Sequence, residues 1–145
     1  MVELSNPQVW WLFALAGVTK MRVSLVSVPV LDPIAAFMFY TQKLGFVEKM
    51  YMPEMKLAIV VSGEDKDGTA ILLEPRGNLN SDVYWEGFYN AGLPVIILGS
   101  DDVEADFQRL KDKGVVFKQA PTKNEWGTQA IFDDTCGNFI QIHKP

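Results

Sequence analysis

Cysteine and histidine are nearly absent: the 145 residues hold one of each, Cys136 and His143. A lone cysteine excludes an internal disulfide and fits a reducing, cytoplasmic compartment. One of each also cannot assemble a Cys/His structural zinc site. Basic clusters are missing as well. Thirteen Lys and Arg are scattered among 18 Asp and Glu, for a formal net charge of −5. A nucleic-acid backbone is therefore not an expected partner. No apolar run reaches the roughly 20 residues that a membrane-spanning helix needs, so no membrane is expected either. The chain also lacks a phosphate-cradling glycine loop, a Gly-x-Ser-x-Gly elbow and an Asp-rich calcium loop.

What is present is a globular composition, 48% apolar and 21% charged, in a length suited to one domain. The segment Val9 to Val18 is almost wholly apolar. It resembles a secretory h-region, but the residues before it carry Glu3 and no Lys or Arg. A short helix is expected over residues 1–20, not an independent domain. Ser5 or Asn6 would cap it, Pro7 would sit in its first turn and Gly17 would end it. A helix apolar on all sides must be covered, either by its own domain or across a homodimer, of which the homodimer is favoured.

From Arg22 onward the pattern is regular. Val23 to Leu31 reads as a strand, and Asp32-Pro33 as a helix cap and first-turn proline. Ala36, Phe39, Tyr40 and Leu44 make one buried helical stripe that Gly45 ends. Strands are expected at 46–52, 55–62 and 69–74. The same order then returns. Val95 to Leu98 reads as a strand, and Asp101 with Glu104 as a capping box. Val103, Phe107 and Leu110 form the next stripe, ended by Gly114. Strands follow at 115–119, around 126–132 and at 138–143. Asp32 and Asp101, Gly45 and Gly114, Gly68 and Gly137 are each 69 residues apart, the mark of an internal repeat. The expected fold is α+β, two tandem βαβββ modules in a single domain over 21–145. Module one spans 22–75, an aromatic linker 76–92, and module two 93–143.

Two such modules, with Phe39-Tyr40 just before Leu44-Gly45-Phe46, resemble the vicinal oxygen chelate superfamily. This group includes glyoxalases, bleomycin-resistance proteins and extradiol dioxygenases. The phrase Asp133-Asp134-Thr135-Cys136-Gly137-Asn138-Phe139 is similar to its terminal Asp-Pro-x-Gly-Asn signature. The resemblance covers about residues 22–143 and implies a mixed sheet curled around a cavity. In metal-using members four ligands come from the first and last strands of both modules. Those positions fall near Leu25, Leu72, Val95 and Gln141. Three are apolar, and one amide oxygen cannot hold a divalent ion alone, so neither a metal nor another cofactor is expected.

With the metal set aside, the cavity itself carries the functional reading. The last strands of the modules would bring Ala70, Leu72 and Glu74 opposite Phe139, Gln141 and His143. Trp85, Phe88 and Tyr89 in the linker, with Trp126 and Phe139, suit an apolar pocket for a planar or hydrophobic molecule. Gln129 and Gln141 would orient that ligand, and Met50, Met52 and Met55 would either add adaptable lining or fill gaps in the core. The expected function is small-molecule binding or sequestration of the bleomycin-resistance kind, by a homodimer. The alternative is a metal-independent isomerase or lyase of a small carbonyl compound. Glu74 and His143 would be its acid/base pair, although both also suit a solvated rim. Cys136 has no basic neighbour in sequence and reads as an inert turn residue.

Overall fold

The computed structural model describes residues 21–145; the helix expected over residues 1–20 lies outside them. The elements run β1 (Leu25–Val30), α1 (Pro33–Gln42), β2 (Val47–Met52), β3 (Leu57–Val61) and β4 (Ala70–Pro75). Helix α2 (Leu79–Asn90) connects to β5 (Pro94–Gly99), α3 (Val103–Asp112), β6 (Phe117–Asn124), β7 (Gly127–Asp133) and β8 (Phe139–Lys144). This is the expected α+β order, strand-helix-three-strands repeated. None of the described helices is long and apolar enough to cross a membrane.

Local chemistry sets the helix ends. The Asp32 carboxylate accepts hydrogen bonds from the Ile34 and Ala35 amides at 2.9 and 3.4 Å, and Pro33 supplies the first helical residue. In module two the cap is Asp102, not Asp101: its carboxylate accepts from Ala105 at 3.0 Å. Glu104 therefore falls one position short of a capping box. The linker also departs from expectation, because most of it is helical. Asn78 caps α2 by accepting from Asn80 and Ser81, and Tyr84, Trp85 and Phe88 pack together along it.

The strands form two four-stranded sheets, ordered β1-β4-β3-β2 and β5-β8-β7-β6. In each, the first strand runs parallel to the last and forms one edge. The register explains the shifted cap. Leu25 lies opposite Ala70 and Pro94 opposite Phe139, both pairs keeping the 69-residue offset. Ser27 lies opposite Leu72 but Ile97 opposite Gln141, an offset of 70 between the first strands. The pairing of β5 slips by one residue between Pro94 and Ile96. The extra residue carries through α3, so that Val103 corresponds to Pro33 and Leu110 to Tyr40. The loop before Gly114 is one residue shorter and restores the offset at Gly45 and Gly114.

One core joins both modules. Val28, Val30, Ile71 and Leu73 from the first sheet share it with Ala130, Phe132, Ile140 and Ile142 from the second. Each of these side chains larger than alanine contributes on the order of 1.5–3 kcal/mol by leaving water. Helix α1 buries Pro33, Ala36, Phe37, Phe39 and Tyr40, and Phe39 reaches Phe132 of the other module at 6.3 Å between ring centroids. The C-terminal ends of α1 and α3 meet. Lys43 Nζ donates to the Lys113 carbonyl, and Lys113 Nζ to the Gln42 carbonyl, each cation sitting at the negative end of the opposing helix.

Candidate functional site

Alternation along the last strands sorts the residues between two faces. On β8, Ile140 and Ile142 enter the core, while Phe139, Gln141 and His143 stand on the opposite face, away from α1 and α3. Cross-strand pairing adds Asp133, Ile131 and Gln129 from β7 and Ile97 from β5 to that open face. The corresponding face of the first sheet carries Ser27, Leu72, Ile59 and Met50. The Gln141 amide donates to Gln129 Oε1 at 3.3 Å, which joins the two expected glutamines.

The aromatic part of the site is built by α2. Tyr89 stacks on Phe139 at 4.5 Å between centroids with planes 3° apart. Its hydroxyl donates to Asp133 Oδ2 at 2.6 Å, and this hydrogen bond raises the phenol above its ordinary pKa, as a donor. Lys118 Nζ stands 5.2 Å from the Phe139 ring centroid and donates to the Gly92 carbonyl. A cavity of about 590 Å³ opens on one side of the stack, lined by Leu31, Arg76, Glu86, Tyr89, Asp133 and Thr135. A smaller one of about 330 Å³ lies on the other side, against Lys118 and Phe139. Both fall within the size range of small-molecule sites.

The other expected residues are less concentrated. Trp85 and Phe88 pack on Tyr84 along α2 and line neither cavity beside the stack. Trp126 sits in the β6–β7 hairpin, 75% exposed. Its carbonyl lies 2.9 Å from His143 Nε2. Glu74 and His143 are not brought together. Glu74 pairs with Pro29 at the end of β4, where the Leu31 amide donates to Cys136 in the β7–β8 turn. His143 is at the far end of β8, four residues beyond Phe139 or about 13 Å of strand.

The metal positions implied by the family can be tested against the register. The cross-strand partners of Leu72 and Gln141 are Ser27 and Ile97, in place of Leu25 and Val95. Two aliphatic side chains, one hydroxyl and one amide do not suit a divalent cation, which takes several carboxylate, imidazole or carbonyl donors. Among the described residues no three His, Cys, Asp or Glu side chains gather as a metal-holding group.

Behind the open face lies a buried polar knot that sequence reasoning took for a plain turn. Asp134 is 0% and Asn138 1% exposed. Asp134 Oδ1 accepts from the Cys136 and Asn138 amides at 2.7 and 3.0 Å. Its Oδ2 accepts from Tyr40 Oη at 2.9 Å and from Asn138 Nδ2 at 3.1 Å. Burial raises the Asp134 carboxyl above its usual range, against the pull of these bonds. Asn138 Nδ2 also donates to the Pro29 carbonyl, and Arg76 Nη2 to Asn138 Oδ1 and the Gly137 carbonyl. Gly137 (φ +94) is needed here, since a Cβ would lie 3.0 Å from the guanidinium. Burial, then the Asp134 charge, pushes the Cys136 thiol up to about 12, so the sulfur is inert as well as buried. Arg76 was missed altogether, because nothing local distinguishes it from a surface arginine.

A family model described as Glyoxalase/Bleomycin resistance protein/Dioxygenase superfamily matches residues 22–142. The uncharacterized protein YurT of Bacillus subtilis (strain 168) is 42% identical over 124 residues, covering 84% of this chain and 98% of YurT. Among solved structures, UcmS2 superposes with a TM-score of 0.74 at 28% identity, covering 88% of this chain and all of UcmS2. TnmS3, an antibiotic binding protein from Streptomyces sp. CB03234, superposes with a TM-score of 0.68 at 29% identity, over 88% of this chain and 98% of TnmS3.

Proposed function

The chain belongs to the glyoxalase/bleomycin resistance protein/dioxygenase superfamily, and on that premise we propose that it binds a planar, hydrophobic small molecule without a metal. The observation that carries this reading is the make-up of the open face. Where a chelating site would need charged or imidazole donors, the chain has Ser27, Leu72, Ile97 and Gln141. Beside them stand a stacked aromatic pair and a bonded pair of glutamines. Such a surface binds by apolar burial and stacking, with the amides setting orientation. The likeness to an antibiotic binding protein supports the same class of function.

A second copy of the chain would complete the cavity. Strands β1 and β5 are edges of their sheets, and Leu25 and Ile97 on them are 46% and 59% exposed. Open apolar edges of this kind invite a partner. A homodimer in the cytoplasm, where a lone thiol stays reduced, belongs to this proposal. The catalytic alternative, an isomerase or lyase using Glu74 and His143, draws no support from a geometry that leaves the two apart.

Titrating a panel of planar aromatic compounds while following intrinsic tryptophan fluorescence tests the binding reading. At least one compound is expected to saturate, and Phe139→Ala to weaken it about tenfold, in keeping with the loss of one stacking contact. A flat response across a broad panel would sink the proposal.

A further inference from the structure

A third and larger cavity, of about 740 Å³, lies between the modules on the side of the helices. Its floor is apolar and comes from Phe46, Leu98, Leu110, Phe132 and Ile142. Its rim carries four carboxylates, Glu64, Asp101, Asp102 and Asp106, against one guanidinium, Arg109. That guanidinium is already paired with Asp106 at 3.3 Å. The open face meets this cavity only at His143, because Leu110, Phe132 and Ile142 belong to the core side of the molecule.

The internal repeat explains why the cavity exists. Each module end meets a turn of the other module, so the molecule has two such junctions. At the first, Tyr40 bonds Asp134, Asn138 bonds the Pro29 carbonyl, and the Leu31 amide bonds Cys136. That junction is closed. At the second, the repeat puts Leu110 where Tyr40 stood, Asp65 in place of Asp134 and Thr69 in place of Asn138. Leucine has no hydroxyl to offer, and Asp65 stays exposed in its turn. Among the described residues, the bonds that close the first junction have no counterpart at the second, which is edged with acid.

We propose that this inter-module cleft is a second ligand site, one that takes an amphipathic organic cation. The apolar body would lie on the half-buried Phe46 and Leu98, and the ammonium would meet Glu64, Asp101 and Asp102 at the rim. Charge complementarity selects the sign: the cleft holds a surplus of carboxylates in a chain whose net charge is already −5. Its volume is that of an ordinary small-molecule pocket. An anion of the same shape would be repelled by the rim and gain only its apolar contact.

The test is a pair of isosteric probes, 4-phenylbutylamine and 4-phenylbutyrate, titrated into the ¹⁵N-labelled full chain and read from backbone amide shifts. The amine is expected to move Gly45, Gly63 and Ser100 around the cleft, leaving Phe139 and Gln141 in place, and to bind about tenfold more tightly than the butyrate. Glu64→Lys and Asp101→Lys each reverse a rim charge whose side chain makes no hydrogen bond among the described residues, so folding should survive. Each is expected to weaken the amine about tenfold, while Phe139→Ala leaves it unchanged. No saturable shift in the millimolar range, equal affinity for the two probes, or affinity that survives both charge reversals overturns the inference. Shifts that gather on Phe139 and Gln141 would also overturn it and credit the open face with the amine.

Discussion

Four hydrogen bonds converge on the two carboxylate oxygens of Asp134, one from a tyrosine 94 residues earlier in the chain. A buried acceptor of this kind is costly to leave short of donors. Tyr40→Phe removes one donor and is expected to lower stability by about 2 kcal/mol in urea unfolding. No measurable loss would mean that the knot does not hold the modules together. The raised Asp134 pKa fixes a sign. The folded state holds the proton more tightly than the unfolded chain, so this group's contribution is full below about pH 4, its unfolded value. It is lost as pH rises through the raised folded value. The stability difference between wild type and Asp134→Asn should therefore shrink across that window, and a difference that grows with pH would contradict it. From sequence, Asp133 and Asp134 read alike, as turn residues. Only the distant Tyr40, with the pleat turning Asp133 to the open face, separates the stacking partner's anchor from the buried keystone.

Elements were legible where they depend on local chemistry. Proline after a capping aspartate marked α1, and apolar runs between turn residues marked β4 and β8, because these signals act within a few residues. The linker helix was not legible. Its polar and aromatic residues give no buried stripe, none of its side chains being fully buried, and only the Asn78 cap betrays it. The slip in β5 was equally hidden, since one extra residue leaves apolar neighbours on either reading. It moved the cap from Asp101 to Asp102 and put Ile97, in place of Val95, opposite Gln141. Strand edges then yield a direct expectation. If β1 and β5 meet a second copy, Ile97→Glu should convert a dimer to a monomer in analytical ultracentrifugation, because a buried unpaired charge is strongly unfavourable. A wild-type monomer at all concentrations would remove the shared-cavity proposal.

At the scale of the whole molecule, the repeat visible in the glycine spacing accounts for both the architecture and its asymmetry. Two modules share one core, yet one junction is tied by buried hydrogen bonds and the other opens into an acid-rimmed cleft. Of the residues singled out in the sequence, Phe139, Gln141, Gln129 and Tyr89 are brought together on the open face. Trp126 stands in an exposed hairpin and Glu74 is set apart from His143, because turns and strand ends are placed by pairing that a single sequence does not display. The central claim is that this face binds an apolar ligand with no metal. Amide shift mapping of the full chain in excess EDTA, with a planar compound selected by fluorescence, tests it most directly. The account predicts saturable shifts centred on Gln129, Phe139 and Gln141 with unchanged affinity. Binding that disappears with the chelator and returns with a divalent cation would contradict it.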